Sequence, residues 1–422
     1  MKPLSRVAWA GIAGPGTGGQ RDVAARVRVR ERKVRPVKPA PVGGAPLAGV
    51  SDGPFEISCI TAEFGLPHWN GEWRRLLLAS RSPEKIYQTP EYFRFLSDSQ
   101  TSDSDRFELY AVTQRADGKV VGMVPVRISG ICLDVKAGTL NLFAFTPRIV
   151  RILGSVPLMP DEPALWHQLF AYLLRSFPAC SAVAMQAFPQ ALHDRLAGDS
   201  RHVPLVVHGW RDCHTIPLPD NLPAYMAKMS AKKRYNLGRQ YRLLEQATGP
   251  LQLQRIDRSV NVKDLMAGVN ALAPGDVPVY SGARDYRVLA ANRLLLSYVL
   301  RSADEVIAVI AGSRYGDTWH VHQIMYAPQY RYLSAGTVAL HTALQDVITH
   351  FAFATADLGF GTPRQRFTST HVLHTRAHVL VARRGAWTAR LLAAFVRLDA
   401  VHAACADVIK PLARRLAGLF RA

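Results

Sequence analysis

The sequence predicts a mixed α/β fold made of two similar halves, and three observations predict it. Strand-like and helix-like segments alternate through most of the 422 residues. The order helix, hairpin, helix, strand occurs once between Trp73 and Ala187 and again between Asn261 and Leu358. Hydrophobic residues make up 48% of the chain, ordinary for a globular enzyme and too many for a disordered protein. Four regions follow: a basic leader over 1–54, a first domain over 55–220, a second over 221–386 and a C-terminal amphipathic helical segment over 387–422.

The leader is rich in Gly, Pro and Arg without a sustained period, which predicts disorder. Its first forty residues carry ten Lys and Arg against two acids, part of a net charge of +20 for the chain. Such a charge suits an anionic ligand, a membrane surface or nucleic acid and does not choose among them. The five cysteines stand far apart and in no metal-ligand spacing, which predicts a reducing, cytoplasmic setting and no structural metal. No apolar run reaches the roughly 18 residues that a membrane span needs.

In the first domain, Trp73 to Leu78 reads as helix. Thr89 is placed to cap a second helix that has Pro90 at its first position. Phe107 to Thr113 and Val120 to Ser129 read as strands joined by the turn Arg115 to Lys119. A helix from Glu162 to Phe177 buries Leu165, Leu169, Tyr172 and Leu173, and Ser181 to Ala187 reads as a buried strand. In the second domain a helix is predicted from Leu222 to Ala247, ended by Gly249-Pro250. Then come strand Leu251 to Ile256, helix Asn261 to Leu272, helix Asp285 to Arg301 and strand Glu305 to Arg314. The turn Tyr315-Gly316-Asp317 leads into strand Thr318 to Tyr326; by order it matches Arg115 to Lys119 of the first domain. A helix from Thr337 to Phe351, strand Thr355 to Leu358 and strand Arg376 to Ala382 complete the second sheet. From Trp387 to Phe420, Leu391, Leu392, Phe395, Leu398 and Val401 form an apolar face. That face either packs on the body or, with its arginines, lies on a membrane surface.

The stretch Trp319 to Phe367 carries the chemistry-bearing residues. Ser334, Ala335 and Gly336 are small and open a helix just after a strand, where unbonded N–H groups and the helix dipole hold a phosphate. The string Tyr326-x-Pro328-x-Tyr330, Ser334-x-Gly336 and Asp357-Leu358-Gly359-x-Gly361 resembles the GNAT acyltransferase superfamily. Within it, the string is most similar to the CelD/BcsL-like acetyltransferases, which are related to the FemAB transferases. The segment Ile86-Tyr87-Gln88-Thr89-Pro90 and the run Lys232-Lys233-Arg234-Tyr235-Asn236-Leu237 resemble the same branch. Two departures stand out: Ser334-Ala335-Gly336 replaces Ser-Pro-Gly, and Pro363-Arg364-Gln365-Arg366-Phe367 stands where Tyr-Lys is usual.

The resemblance implies two tandem GNAT-like domains sharing a cleft and an acyl-CoA, most simply acetyl-CoA, as co-substrate. Its diphosphate is expected on Arg331, Ser334, Ala335, Gly336 and Thr337. It further implies a carbonyl polarised by a backbone N–H of the strand Trp319 to Tyr326, where two parallel strands splay apart. The acceptor would be an amine or hydroxyl, with a small-molecule, cell-envelope or exopolysaccharide precursor suggested by analogy. An aminoacyl-tRNA donor, as in FemAB-like transferases, and a non-catalytic basic adaptor on nucleic acid or membrane are the other readings.

From the residues themselves, His320 and His322 alternate on a strand and share a face, and either can serve as base near neutral pH. The alternative is a pair of partly buried core histidines. Tyr326 falls on that face by parity and is a candidate acid for the leaving thiolate. Asp357, ending a strand beside Gly359 and Gly361, orients an acceptor or a histidine, or simply bonds the following backbone. Arg364 and Arg366 can clamp an acceptor anion. Tyr280 lies in a Gly/Pro-rich loop that is either a lid or a plain connection. Lys232 and Arg234 belong to a basic stripe that is either a solvated face or a wall for phosphates. No Gly-x-Ser-x-Gly, Walker loop or His/Cys metal cluster occurs, so hydrolase, NTPase and metal-site readings lack support.

Overall fold

The computed structural model describes residues 53–401 except 81–83, 100–104, 132, 138–139, 198–200, 273–281 and 361–371. The leader, the loop carrying Tyr280, and Gly361, Arg364 and Arg366 therefore lie outside the described residues, as does the chain after Val401.

The first half opens with β1 (Phe55–Cys59), α1 (Pro67–Ala79) and α2 (Pro90–Asp98). The Thr89 hydroxyl accepts from Tyr92 N–H at 3.0 Å, the expected cap. Then come β2 (Arg106–Gln114), β3 (Val120–Gly130), a small hairpin of β4 (Leu133–Ala137) and β5 (Leu140–Phe145), and β6 (Arg148–Ile152). α3 (Pro163–Ser176) crosses to β7 (Ala182–Pro189), and α4 (Gln190–Leu196) leads into the long β8 (His202–Pro217).

The second half contains α5 (Leu222–Ala227), α6 (Ala231–Thr248) and β9 (Leu251–Ile256). α7 (Val262–Leu272) and α8 (Ala283–Ala291) follow, then β10 (Ser297–Ser302), β11 (Glu305–Tyr315) and β12 (Thr318–Tyr326). α9 (Ala335–His350), β13 (Thr355–Phe360) and β14 (Val372–Arg383) complete it, and residues 387–401 form a last helix, α10.

Twelve strands form one sheet in the order β1-β2-β3-β6-β7-β14-β8-β13-β12-β11-β10-β9. β14 runs between β7 and β8, so it stitches the two halves together rather than closing a second sheet. Each half thus places its last strand beside the other's penultimate one. β6 pairs parallel with β7 as β12 does with β13, and β7 and β13 point in opposite directions. The halves are therefore related by a pseudo-two-fold axis normal to the sheet. One face carries α3 over the first half and α5, α6 and α9 over the second. The other carries α1, α2, α7, α8 and α10.

Two expected helices are corrected. The run from Asp285 to Arg301 ends as helix at Ala291, and Arg293 takes a left-handed φ of 58°. Tyr298 to Leu300 then pair with both β9 and β11. An apolar run buried on both sides has no period that separates strand from helix, and the ladder decides. With that strand restored, the Arg115 to Lys119 turn matches the β10–β11 connection and not Tyr315 to Asp317. The helix from Leu222 to Ala247 is two, because Ser230 caps a new start and accepts from Lys233 N–H at 3.3 Å.

Candidate active site

β12 and β13 pair in parallel for three residues, Thr318↔Thr355, Trp319↔Ala356 and His320↔Asp357, and then part. The opening lies at the carboxyl ends of both strands, where α/β sheets hold ligands. β13 turns away because Gly359 takes φ 63°, a conformation that costs a side-chain-bearing residue 1–2 kcal/mol.

The last pair is the centre of the site. His320 Nδ1 lies 3.4 Å from Asp357 Oδ2, while Asp357 Oδ1 accepts from Gly359 N–H at 2.8 Å. Both readings of Asp357, orienting a histidine and bonding the turn, hold at once. A carboxylate on Nδ1 sets the tautomer that leaves Nε2 as the basic nitrogen. His320 is only 2% exposed, and its Nε2 is buried without a hydrogen-bond partner among the described residues. Burial works to raise the Asp357 carboxyl, but the His320 bond and charge, Gly359 N–H and Arg376 together hold it below its ordinary value.

His322 plays a different part. Its ring stacks beside His320 at 6.4 Å, and its Nε2 lies 2.7 Å from Ser313 Oγ. Burial, helped by His320 and opposed by Asp357, pushes its pKa down to about 3, so it is neutral across the physiological range. The base candidacy passes to His320.

Around the dyad stand residues from distant parts of the chain. Tyr87, in the 3-10 turn Lys85–Gln88 of the first half, sets its ring 6.0 Å from His320 and 6.4 Å from His322. Glu84, just before that turn, is ion-paired with Arg376 of β14, and both are buried. Burial, with help from Asp357 and against Arg376, raises Glu84 to about 7. His374 Nε2 lies 3.2 Å from Thr215 Oγ1, and Thr215 is the β8 residue opposite Asp357. Burial raises the nearby Cys213 thiol, which excludes it as a ready nucleophile. Sequence reasoning passed over all of these except through the Ile86-Tyr87-Gln88 resemblance, because strand pairing across the halves brings them in.

Tyr326 is not on the histidines' face. Gly312 pairs with Val321 and Ala311 with Gln323, so His322 is the extra residue of a β-bulge. Beyond it the alternation flips: Trp319, Val321 and Ile324 face α9, whereas Met325 faces α7 and α8. Tyr326 lies against the start of α9, and a Cβ built on Gly336 would come within 2.9 Å of the Tyr326 ring. Gly336 is thus required by close approach.

The α9 start is built to present backbone amides. Ser334 takes a left-handed φ of 60° and its carbonyl accepts from Thr337 N–H at 2.8 Å, which ties up that amide. Ala335 and Gly336 N–H make no hydrogen bond among the described residues. Gln240 of α6 donates to Ser334 Oγ at 3.2 Å, so the basic helix α6 crosses this turn. Arg331 is exposed beside it, and Lys232 is exposed on the first turn of α6. Arg234 instead donates to the carbonyls of Met226 and Met229 and closes the end of α5. A separate open pocket of about 390 Å³, lined by Glu91, Arg293, Arg314, Phe351 and Phe353, lies at the opposite strand ends, and no dyad residue lines it.

Residues 231–365 match the acetyltransferase (GNAT) domain family, a span that begins on α6 and ends just past β13. The fold is similar to that of FemX at a TM-score of 0.52 and 8% identity, covering 74% of this chain and 95% of that one. A tandem GNAT protein from the clavulanic acid biosynthesis pathway aligns at 0.47 and 13% identity, covering 79% and 99%. L-PGS from Bacillus licheniformis aligns at 0.43 and 13%, covering 76% and 98%. A search of curated proteins gave no match. Residues 231–365 are an acetyltransferase (GNAT) domain, and the chain as a whole has a two-halved sheet similar to that of FemX.

Proposed function

We propose that the protein moves an acyl group, most simply acetyl, from a CoA thioester to an amine or hydroxyl, with His320 as base and Asp357 as its orienter. The observation that carries this reading is the His320–Asp357 pair, with a buried unpartnered Nε2 where the parallel strands part. The Ala335 and Gly336 amides fit the donor's diphosphate, with Ser334, Thr337, Arg331 and the α6 cations around them. When bound, the thioester supplies an electrophilic carbonyl and a thiolate leaving group. His320 Nε2 takes the acceptor's proton as the new bond forms. Beyond His320 the β12 edge has no ladder partner in β13, and this is the edge from which a backbone N–H would stabilise the carbonyl oxygen. His322, held by Ser313, packs the base and does not exchange protons with it. Tyr326, at the α9 start, stands on the donor side and remains the candidate proton source for the thiolate.

The acceptor class proposed is a cell-envelope or exopolysaccharide precursor, acted on in the cytoplasm; α10 could bring the enzyme to a membrane surface, since Trp387, Leu398 and Val401 are exposed on it. A second reading, an aminoacyl group delivered on tRNA, draws support from the net charge of +20. Calorimetry with acetyl-CoA and with tRNA separates the two. Asp357→Asn is expected to keep the CoA affinity of the parent and to lose turnover by about 10²-fold or more. Unchanged turnover removes the dyad from the mechanism, and tRNA binding without CoA binding selects the second reading.

A further inference from the structure

The pseudo-two-fold axis gives each sheet strand of the active half a counterpart in the other. β6 and β7 also pair for three residues, Ile149↔Ala182, Val150↔Val183 and Arg151↔Ala184. The third pair matches His320↔Asp357, so Arg151 stands where the base stands and Ala184 where its carboxylate stands. Val150 and Trp319 turn toward α3 and α9 respectively, which leaves Arg151 and His320 on the same opposite face. The counterpart of the α9 start is the α3 start, where Asp161, Glu162 and Pro163 stand. Two carboxylates there repel phosphate. The first half therefore has neither base nor donor cradle, yet it retains a buried cation at the equivalent point.

That cation is doubled. Arg127 lies directly opposite Arg151 in the β3–β6 register, an arrangement of like charges that a sheet disfavours. Arg151 is 7% exposed, and burying a second guanidinium carries a desolvation cost. Asp105 is ion-paired with Arg127 and also lies near Arg151. Burial and then Arg127 hold the Arg151 pKa down to about 10, so it stays charged at neutral pH. The Tyr92 hydroxyl lies near both arginines, its ring is 5.1 Å from Tyr87, and Tyr87 touches His320. A line of side chains thus runs from the paired arginines to the base along one face.

We propose that Arg127 and Arg151 form an oxyanion subsite that binds a phosphate or carboxylate of the acceptor and so aims its nucleophile at His320. This rests on the reading that the acceptor enters on the face of His320. Two guanidinium forks side by side match such a group and offset the repulsion between them.

The full-length protein, saturated with CoA so that the α9 start is filled, is titrated by calorimetry with inorganic phosphate and separately with succinate. The expected result is binding of at least one of the two, weakened tenfold or more by Arg151→Gln, with CoA affinity unchanged within twofold. Tighter binding of phosphate than of succinate assigns a phosphorylated acceptor; the reverse assigns a carboxylate. If Arg151→Gln does not fold, Arg127→Gln is read in its place. Equal affinity in parent and variant, or no binding of either anion, overturns the subsite. If CoA itself fails to bind the parent, the donor reading falls, while the dependence of anion binding on Arg151 still decides the subsite.

Discussion

At His320 and Asp357 two side chains do what neither does alone: the carboxylate selects the tautomer, and burial keeps water off the basic nitrogen. The surrounding titratable groups make a prediction about stability. His322 and His378 are both held down to about 3, chiefly by burial. A depressed imidazole contributes stability that is fully present above its ordinary value near 6.5 and lost as pH falls toward 3. Glu84, raised to about 7, runs the other way: its contribution is present below the ordinary value of 4.5 and lost as pH rises through 7. Near pH 5.5, on unfolding, His322 and His378 gain about two protons and Glu84 loses about one, so these three groups together raise stability by ~1.4 kcal/mol per pH unit as pH rises. Glu84→Gln removes the opposing member and should steepen the rise of stability between pH 5 and 6 by about 1 kcal/mol per pH unit. Urea unfolding at several pH values reads it, and an unaltered slope means that Glu84 is not neutral in the folded enzyme. The histidines and Asp357 stood out in the sequence as candidates. Their division of labour did not, because it depends on Ser313 and on a bulge.

The α9 start shows how much one element depends on its neighbour. The small residues Ser334, Ala335 and Gly336 announced a helix opening, and the helix begins at Ala335 rather than at the expected Thr337. The sequence did not show that the Tyr326 ring would rest on Gly336, because strict alternation puts Tyr326 on the other face. The extra residue His322 reverses that parity. Gly336→Ala should weaken CoA binding by tenfold or more, since the new Cβ meets the ring at 2.9 Å. Adding Tyr326→Ala should restore most of the affinity by making room. Calorimetry on the single and double variants decides; a double variant no better than the single one rejects steric displacement as the cause.

Across the whole molecule, β14 and β8 make the two halves one folding unit. A chain ending at residue 220 lacks β14 beside β7, and one starting at residue 221 lacks β8 beside β13. Each would expose a long unpaired edge in the middle of the sheet. We expect neither piece to fold alone, and the full chain to unfold in a single transition seen alike by far-UV circular dichroism and tryptophan fluorescence. Two separated transitions, or a dispersed NMR spectrum from residues 53–220 alone, would show independent halves. The Arg376–Glu84 hydrogen bond crosses the same seam, and Arg376 couples it to Asp357. The repeat was legible from the order of elements, but its register was not, since β10 reads as a continuation of α8.

By itself the sequence determined the two-halved α/β architecture, the GNAT character of the second half and the candidates His320 and Asp357, because these rest on local signals: apolar periodicity, Gly and Pro punctuation, and a motif confined to about fifty residues. Only the tertiary structure decided that His320 and not His322 meets Asp357, that Tyr326 lies against the α9 start, and that Glu84, Tyr87, Arg127, Arg151 and Arg376 gather around them. The physical reason is that strand pairing and bulges join residues up to 292 positions apart, as Glu84 and Arg376 are, and no local pattern encodes which strand will be the neighbour.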